Sequence, residues 1–123
     1  MAHLPAWIEI PVTDIDRAEK FYGEVLHIDF KRMNLANGLI LSLFPNKPDE
    51  VGGALACLPA FYHPGETGPV IYLNVDSVSD CLRRVESAGG AIIVPLTQVS
   101  DEVGFMGVMR DSEGNRVGFI GAE

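Results

Sequence analysis

The sequence predicts an α+β domain made of two tandem βαβββ modules, and three observations carry that prediction. A strand that turns directly into an amphipathic helix is written twice. Trp7 to Leu26 reads WIEIPVTDIDRAEKFYGEVL and Val70 to Ala88 reads VIYLNVDSVSDCLRRVESA, with Val12 and Val75 at equivalent points 63 residues apart. Each copy is followed by three short strand-like stretches. Between them lies Pro59 to Pro69, PAFYHPGETGP, with three prolines and two glycines, a breaker-rich connector. The 123 residues therefore form one domain, 1–123, with module one over about 1–60, the connector over about 59–69 and module two over about 70–123. A unit of roughly 60 residues buries only about 60% of its unfolded surface, so the halves must share a core or pair across a dimer.

The elements follow in order. A strand over Ala6–Thr13 has one aliphatic face, Ile8, Ile10 and Val12, and an opposite face of Trp7, Glu9 and Pro11. The aliphatic face belongs under the helix that follows over Ile15–Leu26, where Ile15, Ala18, Phe21, Tyr22, Val25 and Leu26 share a stripe. Either Thr13 or Asp14 caps that helix, and Gly23 weakens its last turn. Strands over Ile28–Met33, Leu39–Phe44 and Gly52–Leu58 complete the first module. In the second, a strand over Val70–Val75 has Ile71, Leu73 and Val75 opposed to Val70, Tyr72 and Asn74. A helix over Val78–Ala88 starts at a Ser77–Asp80 capping box and stops at Gly89-Gly90. A strand over Ala91–Leu96, a looser segment near 97–102, and a hairpin of Gly104–Arg110 with Asn115–Ile120 around Asp111-Ser-Glu-Gly114 end the chain.

Composition narrows the function. A formal charge of −8 disfavours nucleic acid and anionic membrane surfaces as partners, and mildly favours a cationic ligand. No apolar run approaches the roughly 20 residues of a membrane span, and MAHLPAW is not a secretion signal. Cys57 and Cys81 lack zinc-type or CxxC spacing and suit reduced thiols, which points to the cytoplasm.

Two βαβββ units, VTDIDRAEKFY near the start and RDSEGNRVGFI near the end together resemble the vicinal-oxygen-chelate superfamily. That superfamily includes glyoxalase I, extradiol dioxygenases, fosfomycin-resistance enzymes and bleomycin-binding proteins. The chain most resembles its metal-ligand-lacking group opening WIEIPV or WFEIPV. The resemblance covers essentially the whole chain and implies a cup-shaped incomplete barrel with a small-molecule site in its concavity, and a homodimer. It also implies four cup-facing positions for metal ligands. Carried over, the one seven residues before the helix-opening Asp14 is Trp7, the one six before Asp76 is Val70, and the one three after Asn115 is Gly118. The fourth belongs in residues 51–60, which contain no Asp, Glu, His or Gln. No metal site and no cofactor are expected, since Trp, Val and Gly side chains offer no lone pair to a divalent ion.

The remaining candidates lie on the same face. Glu9, flanked by Trp7 and Pro11, is desolvated on one side, which would suit a general base. Tyr72, its repeat equivalent, is the expected hydrogen-bond partner, and such a pairing would also serve a purely structural Glu9. Trp7, Glu9, Tyr72, Asn74 and Arg110 form the expected ligand-binding set, Arg110 by pairing with an anionic group or simply as a solvated hairpin end. His3, His27 and His63 are scattered. Cys57 is a strand thiol of open facing, and Phe61-Tyr-His63 roofs the pocket, roofs a dimer interface or packs between the halves. The expected function is binding of a small, partly apolar molecule in the cup, as a metal-independent enzyme or a sequestering protein. The alternatives are a metal-dependent lyase or isomerase resembling glyoxalase I, and an interaction domain with an empty cup.

Overall fold

A computed structural model describes residues 4–123; the candidate His3 lies outside the described residues. The chain runs β1 (Trp7–Pro11), α1 (Ile15–Leu26), β2 (Lys31–Asn34), β3 (Ile40–Leu43), β4 (Gly52–Cys57), β5 (Ile71–Val75), α2 (Val78–Ala88), β6 (Ala91–Ser100), β7 (Gly104–Arg110) and β8 (Arg116–Gly121). Two four-stranded mixed sheets result, ordered β1-β4-β3-β2 and β5-β8-β7-β6, each with one parallel pair at the edge that the helix crosses over. This is the α+β, two-module architecture that the repeat predicts.

Both helices keep their expected bounds. Asp14 is the first cap, its side chain accepting from the Arg17 amide at 3.0 Å, and Ser77 does the same for Asp80 at 3.2 Å. α1 stops at His27, a non-glycine residue at φ 56°, and α2 at Gly89. The strands differ more. β2 is confined to the four residues that register against β3, and β6 extends through the segment expected to be loose, pairing with β7 across register shifts as far as Ser100.

One core joins the modules. Ile10, Val12, Phe21, Tyr22 and Val25 from the first pack with Val78, Val85, Met109, Val117 and Phe119 from the second, with α1 against α2. The aliphatic stripes of β1 and β5 therefore point inward to the helices. Strand alternation turns the opposite faces outward, and those faces are where a cup would form.

Candidate functional site

Trp7, Glu9 and Pro11 lie on the outward face of β1, registered beside Gly52, Ala54 and Ala56 of β4. In the second sheet Tyr72 and Asn74 register beside Gly118 and Ile120 of β8. Both sheets use small β4 or β8 residues as a bed for an aromatic ring. A Cβ at Gly52 would approach the Trp7 ring at 3.0 Å, and a Cβ at Gly118 would overlap the Tyr72 ring outright. The rings are thus seated on glycine while staying 47% and 42% exposed. These are large apolar surfaces left open beside polar groups, as a binding face requires.

Glu9 is half-buried and both its carboxylate oxygens are engaged. Trp7 Nε1 donates to Oε2 at 3.2 Å, and the Tyr62 hydroxyl donates a short hydrogen bond to Oε1. The partner expected from the repeat, Tyr72, is replaced by Tyr62 of the connector. The reason is geometric: β1 and β5 stand at the edges of separate sheets, whereas the connector folds back over β1. The Glu9 hydrogen bond, then burial, then the carboxylate charge push the Tyr62 phenol above its ordinary pKa, so it stays protonated as a donor. Phe61 packs edge-on against Tyr62 with ring centroids 4.9 Å apart and is itself exposed. Of Phe61-Tyr-His63, it is Tyr62 that reaches the outward face of β1, at Glu9.

The other candidates fall elsewhere. Asn74 is exposed on the face of Tyr72. Arg110 lies 3.6 Å from Glu66 of the connector, both half-exposed. Cys57 shares the inward parity of Gly53 and Leu55, its Sγ 3.7 Å from the Thr13 carbonyl, and burial pushes its thiol up. It lies on the side of the sheet opposite Glu9.

A second cluster, invisible as such in the sequence, joins the two modules. The Asp111–Asn115 turn closes over the β1–α1 junction. Asp111, 3% exposed, accepts from Tyr22 Oη at 2.5 Å, from the amides of Glu113 and Asn115 at 2.9 and 2.8 Å, and from Asn115 Nδ2 at 3.1 Å. Asn115 Nδ2 also donates to the Pro11 carbonyl at 2.7 Å, and Asn115 Oδ1 accepts from the connector amide of Gly65 at 3.1 Å. Glu113 accepts from the Thr13 and Asp14 amides, each at 2.9 Å, and from Arg17 Nε at 2.6 Å. Burial alone would raise the Glu113 carboxyl; the Arg17 and backbone donors outweigh it and hold it at about 2. Burial and then the Asp111 charge raise Tyr22 well above the usual tyrosine value.

Residues 4–119 match the model of the Glyoxalase/Bleomycin resistance protein/Dioxygenase superfamily. The chain belongs to that superfamily. A glyoxylase-like domain-containing protein of Didymella fabae is 28% identical over 112 residues, covering 88% of this chain and 85% of its own. Among solved structures, a glyoxalase/bleomycin resistance protein from Streptomyces sp. CB03234 superposes with TM-score 0.69 at 22% identity over 94% of this chain and 97% of that one. Glyoxalase I from Zea mays, as its E144Q mutant, gives TM-score 0.70 at 16% identity over 94% of this chain but 46% of the maize chain, about half its length. At these identities the structural likenesses show the fold.

Within the superfamily scaffold the donor positions are chemically empty of donors. The register supplies the fourth position that the sequence leaves unplaced: Ala54 sits beside Glu9 as Gly118 sits beside Tyr72. Trp7, Ala54, Val70 and Gly118 give no oxygen, nitrogen ligand or thiolate, and the Tyr72 ring fills the space a longer residue at 118 would need. These residues do not fit a metal held in the family's manner. Nor do the described residues contain another group of three or more His, Cys, Asp or Glu arranged to hold one. No helix among them is long and apolar enough to cross a membrane.

Proposed function

We propose that the protein binds a small, partly apolar molecule on the outward sheet faces, against the Trp7 and Tyr72 rings, with Glu9 as the polar anchor and without a metal. The observation that carries this is the aromatic clamp on Glu9: a carboxylate aimed by Trp7 and Tyr62 on a half-open apolar face is preorganised to accept a donor from a ligand. Because Oε1 and Oε2 are already hydrogen-bonded, Glu9 serves as an anchor; a proton-abstracting role would require one donor to leave first. The glyoxalase I-like lyase or isomerase reading draws no support from the donor positions.

We further propose that two copies complete the site. The inter-module contacts run through the helices and the Asp111–Asn115 turn, which leaves the faces of Trp7 and Tyr72 uncovered and the edges of β1 and β5 unpaired within the sheets. Sedimentation at twice the 13.3 kDa chain mass is expected, and a concentration-independent monomer would overturn this part. For the site itself, a thermal-shift screen of a metabolite library, with and without divalent metals, tests the reading. Hits that persist in chelator and disappear in Glu9→Gln support it; hits that require metal defeat it.

A further inference from the structure

The outward face of the second sheet carries two arginines side by side. Arg110 of β7 registers directly against Arg116 of β8, and Arg116 shares its face of β8 with Gly118, the residue under the Tyr72 ring. Directly opposed side chains stand about 5 Å apart at Cβ, where like charges are destabilising. The fold does not require the pair. Leu43 and Ala54 of the first module register as Val108 and Gly118 do in the second, so the equivalents of Arg110 and Arg116 are Pro45 and Gly52.

Neither guanidinium is fully met within the chain. Each of the other arginines is closely held: Arg17 by Glu113 at 2.6 Å, Arg32 by Asp16 at 2.6 Å and Glu19 at 2.8 Å, Arg83 by Asp80, and Arg84 by the Val25 carbonyl at 3.0 Å. Among the described residues Arg110 has only Glu66 of the connector, 3.6 Å away and beyond a hydrogen bond, and both side chains are about half-exposed. Arg116 donates from Nη2 to the Gly68 carbonyl at 2.8 Å, but its Nε is buried and meets no acceptor among the described residues. A buried donor left unmet is costly and marks the place of a missing acceptor. Two positive charges thus share one loosely placed carboxylate, in a chain with 17 Asp and Glu residues to choose from.

We propose that Arg110 and Arg116 form a subsite for the carboxylate of an apolar acid whose body lies against the Tyr72 ring. Two planar forks on neighbouring strands suit a carboxylate, which accepts from both through charge-assisted hydrogen bonds. Glu66 shows the chemistry that the pair attracts, and at 3.6 Å it is a weak internal competitor that a ligand carboxylate displaces from Arg110. Along β8, Arg116 lies two residues from Gly118, about 7 Å, so an aromatic acid reaches the pair with its carboxylate while its ring meets Tyr72. The inference rests on the reading that the outward sheet faces bind a ligand, and it gives that ligand an anionic end besides the donor that Glu9 accepts.

The test titrates the whole chain with benzoate, using neutral benzamide as the shape-matched control, and follows arginine Nε–H and backbone amide signals by NMR. Saturable shifts from benzoate alone are expected at Arg110, Arg116 and residues 70–74, weakening as salt is added. Arg110→Gln should weaken the binding by about tenfold. Glu66→Gln, which removes the competing carboxylate, should tighten it by about two- to fivefold, a gain that a purely structural role of the arginines does not produce. Binding kept in Glu9→Gln supports the subsite independently of the Glu9 anchor. Binding lost in Glu9→Gln and unchanged in Arg110→Gln overturns the subsite and leaves the Glu9 anchor standing. Equal shifts from benzamide, no saturable shift at the arginines, or an affinity not raised by Glu66→Gln would likewise overturn the proposal.

Discussion

The Asp111–Asn115 turn and the outward face of β1 both gather polar and aromatic side chains, yet they use them in opposite ways. In the turn the Asp111, Glu113 and Asn115 side chains are all consumed inside the protein. Asp111 and Asn115 are buried, the Glu113 side chain has no exposure, and each aims at a specific group of the other module. On β1 the polar group is clamped but the surfaces around it stay open, and Trp7 and Tyr72 present ring area to whatever arrives. The lesson is that the two most recognisable motifs of the chain are two halves of one structural fastening. VTDIDRAEKFY supplies Thr13, Asp14, Arg17 and Tyr22; RDSEGNRVGFI supplies Asp111, Glu113 and Asn115. The face proposed for binding has little motif character.

That contrast can be broken most severely at Asp111. Asp111→Ala leaves the buried Tyr22 hydroxyl and two turn amides without their acceptor, and should lower unfolding free energy by about 3–5 kcal/mol, read from urea midpoints at constant slope. A loss below about 1 kcal/mol would show that the turn is not a fastening.

Glu113→Gln should cost less, about 1–3 kcal/mol near neutral pH, because the amide keeps one acceptor but loses the charge that Arg17 meets. It also carries a pH signature. The folded Glu113 carboxyl titrates at about 2, against an ordinary value of 4.5 in the unfolded chain. Since the folded value is depressed, its stabilisation is fully present above 4.5 and is lost as pH falls from there towards 2. Stability measured across that window should fall less steeply in Glu113→Gln than in the parent; parallel curves would contradict the assignment.

On the outward sheet faces the effects on folding should be comparable or smaller. Gly118→Ala forces the Tyr72 ring off its bed and should cost about 1–3 kcal/mol, with a change in the ring's NMR environment as the specific sign. Tyr62→Phe removes one hydrogen bond to a half-exposed carboxylate, and should change stability by about 1 kcal/mol or less while freeing Glu9 Oε1.

How much of this was legible follows from separation in sequence. The helices could be bounded because their caps, Asp14 and Ser77, act within three residues. The inward and outward faces of β1 and β5 follow from alternation, so Trp7, Glu9 and Tyr72 are assigned to the outward side from sequence alone. The strand ends were less readable: β6 runs on to Ser100 because β7 pairs with it across register shifts, which no local pattern announces. The fastening was not legible as a unit, since Thr13 and Glu113 are a hundred residues apart and only the fold brings them together. Tyr62 was missed as Glu9's partner because repeat symmetry points to Tyr72, and the connector that carries Tyr62 has no counterpart in the repeat. Its one signal was an aromatic pair inside a proline- and glycine-rich loop.

The claim that binding belongs to the β1 face and fastening to the turn is tested most directly by one comparison of thermal shifts. Compounds that raise the melting temperature of the parent protein are applied, at the same excess, to Glu9→Gln and to Glu113→Gln. The account predicts that Glu9→Gln melts near the parent temperature and loses the ligand-induced rise, while Glu113→Gln melts lower and keeps it. A rise retained in Glu9→Gln and lost in a still-folded Glu113→Gln would contradict it.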